Sequence, residues 1–335
     1  MTRQLITLIV TVGLCVSMTQ GGVSTAGVVR PPGVSPLDWT YDTGVVLGWQ
    51  NGHTGWLTVD DGTDIICEDT DIGYNVGATG YATITGAGTT WTHVPGNSGN
   101  IVVGQYGHGT LNITDGAVVS NERAKIAYGS NTYPDPMGWV TVSGAGSTWN
   151  AGASLYVGNF GDATLDITNG GAVHVGTRIL ASSYLCRNAG SRGRVRVAGE
   201  GSTWSMSYDL NVGYLDGGRV IIDNGGLVRV GHVLTIDNDL DGDSRIIMAS
   251  GGMLSLAGNA PNSLGDYLGL IGGTDKILYN NGSAWADITE ATDGVDYTLD
   301  YQAGYTTLTV TATPEPATMI LMATSGLALL RRRRK

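Results

Sequence analysis

A hexapeptide ending in tryptophan occurs three times in this 335-residue chain. Gly86-Ala87-Gly88-Thr89-Thr90-Trp91 returns as Gly144-Ala145-Gly146-Ser147-Thr148-Trp149 and again as Gly199-Glu200-Gly201-Ser202-Thr203-Trp204. Between the copies run Leu111-Asn112-Ile113-Thr114-Asp115-Gly116, Leu165-Asp166-Ile167-Thr168-Asn169-Gly170 and Val220-Ile221-Ile222-Asp223-Asn224-Gly225. A third marker, close to aliphatic-x-Val-Gly, ends at Gly48, Gly77, Gly104, Gly129, Gly158 and Gly213, the last step spanning two units. Self-similarity at a fixed period restricts a chain to architectures in which each unit buries its apolar face only against its neighbours. The unit here is roughly 24 to 30 residues, in two alternating flavours.

Within a unit, a short strand ending in Gly is followed by a polar loop and a strand of period-two alternation, such as Ala163-Thr164-Leu165-Asp166-Ile167-Thr168. A Gly corner and another short strand, such as Ala172-Val173-His174-Val175, complete it. This pattern predicts an all-β fold, a right-handed parallel β-helix or β-solenoid whose coils stack at the ~4.8 Å strand spacing. Leu111 and Ile113, Leu165 and Ile167, and Val220 and Ile222 should then form inward ladders. A propeller blade would need about 40 residues and four strands, and a sandwich would lack a fixed period. The repeats are expected over 27–260. From residue 261 the period is lost, and Tyr297–Tyr301 and Tyr305–Val310 read as strands of a β cap over 261–313 that closes the open end.

Composition agrees. There are 53 Gly, only 14% charged residues, and 29 acidic against 18 basic side chains. Scarce helix formers argue against a helical protein, and the net charge of −11 argues against nucleic acid, which needs a basic footprint.

Both ends read as addresses. Arg3 followed by the apolar run Leu5–Val16 predicts a signal peptide over 1–26, cut before Gly27, for signal peptidase. At the other end, Pro314-Glu315-Pro316 leads into a short apolar stretch and the cluster Arg331, Arg332, Arg333, Arg334 and Lys335. The order of Pro turn, short apolar helix and cationic stop resembles the PEP-CTERM sorting signal of Gram-negative bacteria. That resemblance covers 314–335. It implies processing by an exosortase (a membrane transpeptidase), delivery to the cell surface or extracellular matrix, and membrane contact only through this segment before processing. Six of the 18 basic residues leave with the two ends, as does Glu315, so the remaining body carries a formal charge of about −16.

Candidate ligand sites are few. Trp91, Trp149 and Trp204 offer either a platform for stacking sugar rings or the packing of a repeated corner. Asp237, Asp239, Asp241 and Asp243, with Gly242, resemble the first half of a calcium loop, although Met248 stands where such a loop has its bidentate Glu. No cofactor other than calcium at that loop is suggested. The second acidic stretch, Asp60 to Asp71, reads as a solvated surface. The five His residues show no metal-ligand spacing. Cys67 and Cys186 should lie about four coils apart, roughly 19 Å, too far for a disulfide.

The functional expectation is a non-enzymatic, exported structural or adhesive surface protein. Two alternatives stay open: a polysaccharide-binding or polysaccharide-degrading protein on the same scaffold, and an ice-binding protein, because similar tails occur on some of these. The row begun by Thr83, Thr85, Thr141 and Ser143 is the kind of regular hydroxyl face ice binding needs, and Arg196 interrupts it.

Overall fold

The computed structural model describes residues 18–20, 22–96, 98–133, 135–177, 181–236, 244–273, 276–280 and 284–311. Among them, strands of two to seven residues wind through about eight turns of some 26 residues each. Each turn lays one strand on each of three sheets, of twelve, ten and nine strands. The first full turn shows the path: Thr54–Val59 on face A, Asp64–Cys67 on face C, Thr70–Ile72 on face B, and then Thr79–Thr85 back on face A. Strands of successive turns pair parallel and in register.

The alternating pattern causes this. Every second residue of a strand points inward, and the burial of His108–Thr114 or Asp162–Thr168 alternates accordingly. The inward residues stack as expected. Leu57, Ala82, Leu111, Val140, Leu165, Val195, Val220 and Ile246 form one ladder on face A. Val59, Ile84, Ile113, Val142, Ile167, Val197, Ile222 and Met248 form the next. All are essentially inaccessible. On face C the column is Ile65, Trp91, Val119, Trp149, Val173, Trp204, Val228 and Leu254. Large indoles alternate with small valines, so each rung fills the space the other leaves at close-packed density. That alternation explains why the Trp motif returns only every second turn.

The corner from face A to face C explains the two flavours. In one set of turns it is an Asp-Gly or Asn-Gly pair, and Asp61, Asp115, Asn169 and Asn224 all have φ between 51° and 55°. In the other set it is Gly-x-Gly, as at Gly144 and Gly146 with φ of 96° and 85°. Left-handed backbone is where Gly, Asn and Asp carry the smallest steric cost. The Ser or Thr after Gly-x-Gly joins the turns. Thr89, Ser147 and Ser202 are fully buried. Their hydroxyls each accept, at 3.0 Å, the backbone N–H of Gly62, Gly116 and Gly170 in the preceding turn. Ser147 and Ser202 also donate to the Ser143 and Ala198 carbonyls at 2.7 Å.

Two of the sequence markers shift. The residue that turns face B into face A with positive φ is Gly48, Gly73, Gly104, Ala127, Gly158, Cys186 and Gly213 in successive turns. Gly77 and Gly129 therefore lie in the loop beyond the corner. The gap in the spacing between Gly158 and Gly213 is filled by Leu185-Cys186. Ala127 and Cys186 escaped notice because both occupy a left-handed position, with φ of 53°, without being Gly.

Antiparallel strands cover the ends. Val23–Gly27 lies against Thr54–Val59 and Val29–Arg30 against Val45–Leu47. A boundary after Ala26 would cut away all but the last residue of the first of these, in which Val23 and Thr25 are buried. At the far end, Tyr305–Val310 pairs with Met253–Ala257 and Tyr297–Gln302 with Tyr305–Val310, the closing strands expected there. Parallel stacking on face A continues past residue 260, because Ile277–Asn280 still pairs with Arg245–Met248. The expected N-terminal signal helix and the C-terminal apolar helix lie outside the described residues.

Replacing Ile167 with Asp should bury an unpaired carboxylate and cost several kcal/mol. Thr110→Asp, pointing outward, should stay within about 0.5 kcal/mol of wild type; denaturant melts separate the two. Gly104→Ala should cost at least about 1–2 kcal/mol from its backbone alone. The added Cβ would also stand 2.2 Å from the Met137 carbonyl oxygen. Ala127→Gly, at the equivalent corner, should be near neutral, since the relieved strain offsets the lost methyl burial of about 0.8 kcal/mol.

Candidate functional site

Function on a solenoid resides in the outward half of the alternation, because the inward half is spent on ladders. The central outward row of face A reads Trp56, Tyr81, Thr110, Trp139, Thr164, Arg194, Arg219 and Arg245 through eight successive turns. Its first half is aromatic. Trp56 is 41% exposed, Tyr81 38% and Trp139 41%. The Trp56 and Tyr81 rings stack with centroids 6.0 Å apart and planes 11° apart. His108 meets Trp139 edge-on at 6.2 Å. The second half is cationic.

Where the two halves meet, the surface opens into a groove of about 520 Å³. Trp139 forms one side, Arg194 and Arg219 the other, with Asp162, Arg192 and Asp216 along the rim. Arg192 pairs with Asp162 at 3.6 Å, both largely in solvent. The Asp216 carboxylate accepts the backbone N–H groups of Gly190, at 2.5 Å, and Gly217, at 2.7 Å. Arg196, in the neighbouring outward row, is held by Asp223 through two hydrogen bonds of 3.1 and 3.2 Å. The side chains of Arg194 and Arg219 form no ion pair or hydrogen bond among the described residues.

The buried cluster around Cys67 and His93 is structural. Under the first corner of face C, Trp91 donates to the Cys67 sulfur at 3.2 Å, and Thr70 lies 3.5 Å from that sulfur and 2.9 Å from Nε2 of His93. His93 Nδ1 faces the Ser120 carbonyl at 3.3 Å, so Nδ1 carries the proton and Nε2 accepts from Thr70. Burial pushes the Cys67 thiol up to about 12 and the His93 imidazole down to about 3. Such a cluster holds neither a thiolate nor a charged imidazole at neutral pH. Cys186 is also free and buried.

The tryptophans of the repeated hexapeptide do not form a surface. Trp91, Trp149 and Trp204 have no exposed area, so the sugar-stacking expectation gives way to packing. Trp149 donates its indole N–H to Asn121 at 2.7 Å. The exposed aromatics of the central face A row are instead Trp56, Tyr81 and Trp139, each at the third position of its strand and outside any conspicuous motif. Asp237, Asp239, Asp241 and Asp243 lie outside the described residues, as do Pro314, Glu315, Pro316 and Arg331, Arg332, Arg333 and Arg334. Among the described residues, no group of three or more His, Cys, Asp or Glu could hold a metal ion. The hydroxyl row of face A runs Thr58, Thr83, Asn112, Thr141, Asp166 and Arg196, so Asn112 and then Asp166 break it before Arg196 is reached.

With that geometry in view, comparison with known proteins adds three facts. Residues 312–335 match the PEP-CTERM protein-sorting motif, which marks the chain as an exported, exosortase-sorted surface protein. A stretch of 136 residues, 41% of this chain, is 29% identical to the adhesin BmaC autotransporter of Brucella suis biovar 1 (strain 1330), and it spans 4% of that adhesin's length. No solved structure matches the chain. Among the described residues, no helix is long and apolar enough to cross a membrane.

The His93 site predicts a pH dependence. Its folded pKa lies below the usual 6.5, so its contribution is complete above about 6.5 and is lost as pH falls toward about 3. The loss should reach the order of several kcal/mol. Asp71 acts oppositely. Burial, with Asp69 beside it, pushes its carboxyl from the usual 3.8 up to about 7. Its penalty is therefore present above about 7 and relieved as pH falls toward 3.8. Melting temperatures of His93→Gln should decline less steeply from pH 6.5 to 4 than those of wild type.

Proposed function

We propose that the protein is a non-enzymatic surface rod that presents face A to extracellular partners, with an adhesive or structural role after sorting. The observation that carries this reading is the combination of a sorting motif at 312–335 with a ladder-packed rod whose long face leaves aromatic and arginine side chains in solvent. Large exposed aromatics in a row mark an interaction surface more often than chance exposure does. The partial likeness to an autotransporter adhesin supports the same direction.

A polysaccharide-degrading role draws less support from the groove. Hydrolysis needs a pair of carboxyl groups free to flank one glycosidic bond, and the two on this rim are each already engaged by donors. Asp162 faces Arg192, and Asp216 is bonded to two backbone N–H groups. Both are placed to accept hydrogen bonds from a ligand.

Two experiments test the reading. Removing 314–335 should release the body into the periplasm or the medium, and the surface-held protein should lack that tail by mass spectrometry. An intact Lys335 on surface protein would instead mean a permanent anchor. Cells making the full chain should adhere to or aggregate on extracellular matrix more than cells lacking it, and changing Trp56, Tyr81 and Trp139 to Ser should abolish the difference. Equal adhesion by the triple variant at equal surface density would show that face A is not the presenting face.

A further inference from the structure

We infer that the groove between Trp139 and the Arg194–Arg219 pair is a binding site for an acidic polysaccharide, one whose pyranose units carry carboxylates. The inference deepens the adhesive reading of face A and rests on it.

Like charges directly opposite one another on adjacent strands repel. Arg194 and Arg219 are register partners on face A, and Arg219 is in turn the partner of Arg245. Both Arg194 and Arg219 are exposed, and neither finds an acidic partner among the described residues. Their neighbours show the contrast. Arg192 has Asp162 and Arg196 has Asp223. In a body with about 28 acidic residues against 12 basic ones, two unpaired arginines on register partners, beside rim carboxylates that are each already engaged, leave a local excess of positive charge. Such an excess attracts an anion that the rest of the surface repels.

The groove narrows the class of anion. A volume of about 520 Å³ falls in the range of small-ligand sites and suits one or two sugar rings. Trp139 offers an apolar ring face for the C–H face of a pyranose, two rungs from Arg194 along the same row. Planar guanidinium groups match planar carboxylates with paired hydrogen bonds. Asp162 and Asp216 on the rim are acceptors suited to sugar hydroxyls. The rungs repeat every ~4.8 Å, so an extended chain laid along the row meets Trp139, then Thr164, then Arg194 and Arg219 in order. Nucleic acid shares the negative charge, yet it would also meet the acidic remainder of the body, and its phosphates need a broader basic footprint than two arginines.

The test uses the purified full chain and three probes: polygalacturonate, the same polymer with its carboxylates methyl-esterified, and single-stranded DNA, each titrated by calorimetry. Polygalacturonate should bind, and added salt should weaken it. The esterified polymer should bind at least about tenfold more weakly, as should polygalacturonate to Arg194→Gln/Arg219→Gln, because each charged hydrogen bond is worth a tenfold change or more. DNA should bind more weakly than polygalacturonate. Trp139→Ala should weaken polygalacturonate several-fold while leaving its salt dependence unchanged. The arginine double variant should melt at or slightly above the wild-type temperature, since only a repulsion has been removed. Equal binding of the esterified polymer, an unaffected double variant, or DNA binding as tightly as the glycan would each overturn the proposal. Cell adhesion retained by the arginine double variant alongside lost polygalacturonate binding would uphold the glycan site and show that adhesion uses another part of face A. Adhesion lost only in the aromatic triple variant, with no polygalacturonate binding by wild type, would overturn the glycan site and leave the adhesive reading standing.

Discussion

Parallel strands stacked in register make each residue's nearest neighbours the residues at the same position one turn above and one turn below. This constraint propagates through the whole molecule. A position that must be aliphatic in one turn must be aliphatic in all of them, which is why Leu111, Val140, Leu165, Val195 and Val220 form an unbroken column. Corners must superpose as well, so each needs a left-handed residue at the same place. Gly104 shows how little room remains there, since its α-hydrogen points at a backbone carbonyl of the next turn. The fold has no single centre. Its stability is a sum of similar interfaces, with antiparallel strands at each end to keep the ladder from recruiting another chain.

The two flavours of turn are a packing solution with two parts. Indole and valine alternate along face C, which avoids stacking two bulky rings on adjacent rungs. In step with that alternation, the Gly-x-Gly-Ser/Thr corner of one turn reaches back with a buried hydroxyl to the Asp-Gly or Asn-Gly corner of the turn before. A donor that would otherwise be lost in the interior is thereby satisfied. Outward positions are released from both requirements, and there the residues differ from turn to turn. Freedom to vary is what allows one face to carry aromatics at one end and arginines at the other.

Much of this architecture was legible in the sequence because the constraint repeats. The period and the inward ladders follow from patterns seen several times over, and the closing strands near residues 297–310 follow from their own short apolar alternation. What escaped was whatever occurs once. Ala127 and Cys186 hold a left-handed corner that Gly holds elsewhere, so counting glycines moved one marker to Gly129 and left a gap before Gly213. The repeated tryptophans left a sugar-stacking platform and the packing of a corner both open from one sequence, and repetition at a fixed phase is the mark of the core. Trp56, Tyr81 and Trp139 were hidden by irregularity, and so was the opposition of Arg194 to Arg219, which depends on register and cannot be read from one strand alone.

The whole molecule stands on that register, and cysteine pairing across adjacent turns measures it directly. Asn112 and Thr141 are outward register partners on face A, and Thr141 is followed two residues later by Ser143. With Cα atoms about 4.8 Å apart, Asn112→Cys with Thr141→Cys falls inside the range a disulfide spans. Shifting the second cysteine to Ser143 lengthens the separation to roughly 8 Å, beyond that range. Under mild oxidation of the folded protein, the first pair should cross-link rapidly and nearly completely while the second stays reduced. Equal cross-linking of both pairs, or preference for the Ser143 pair, would contradict the parallel in-register ladder.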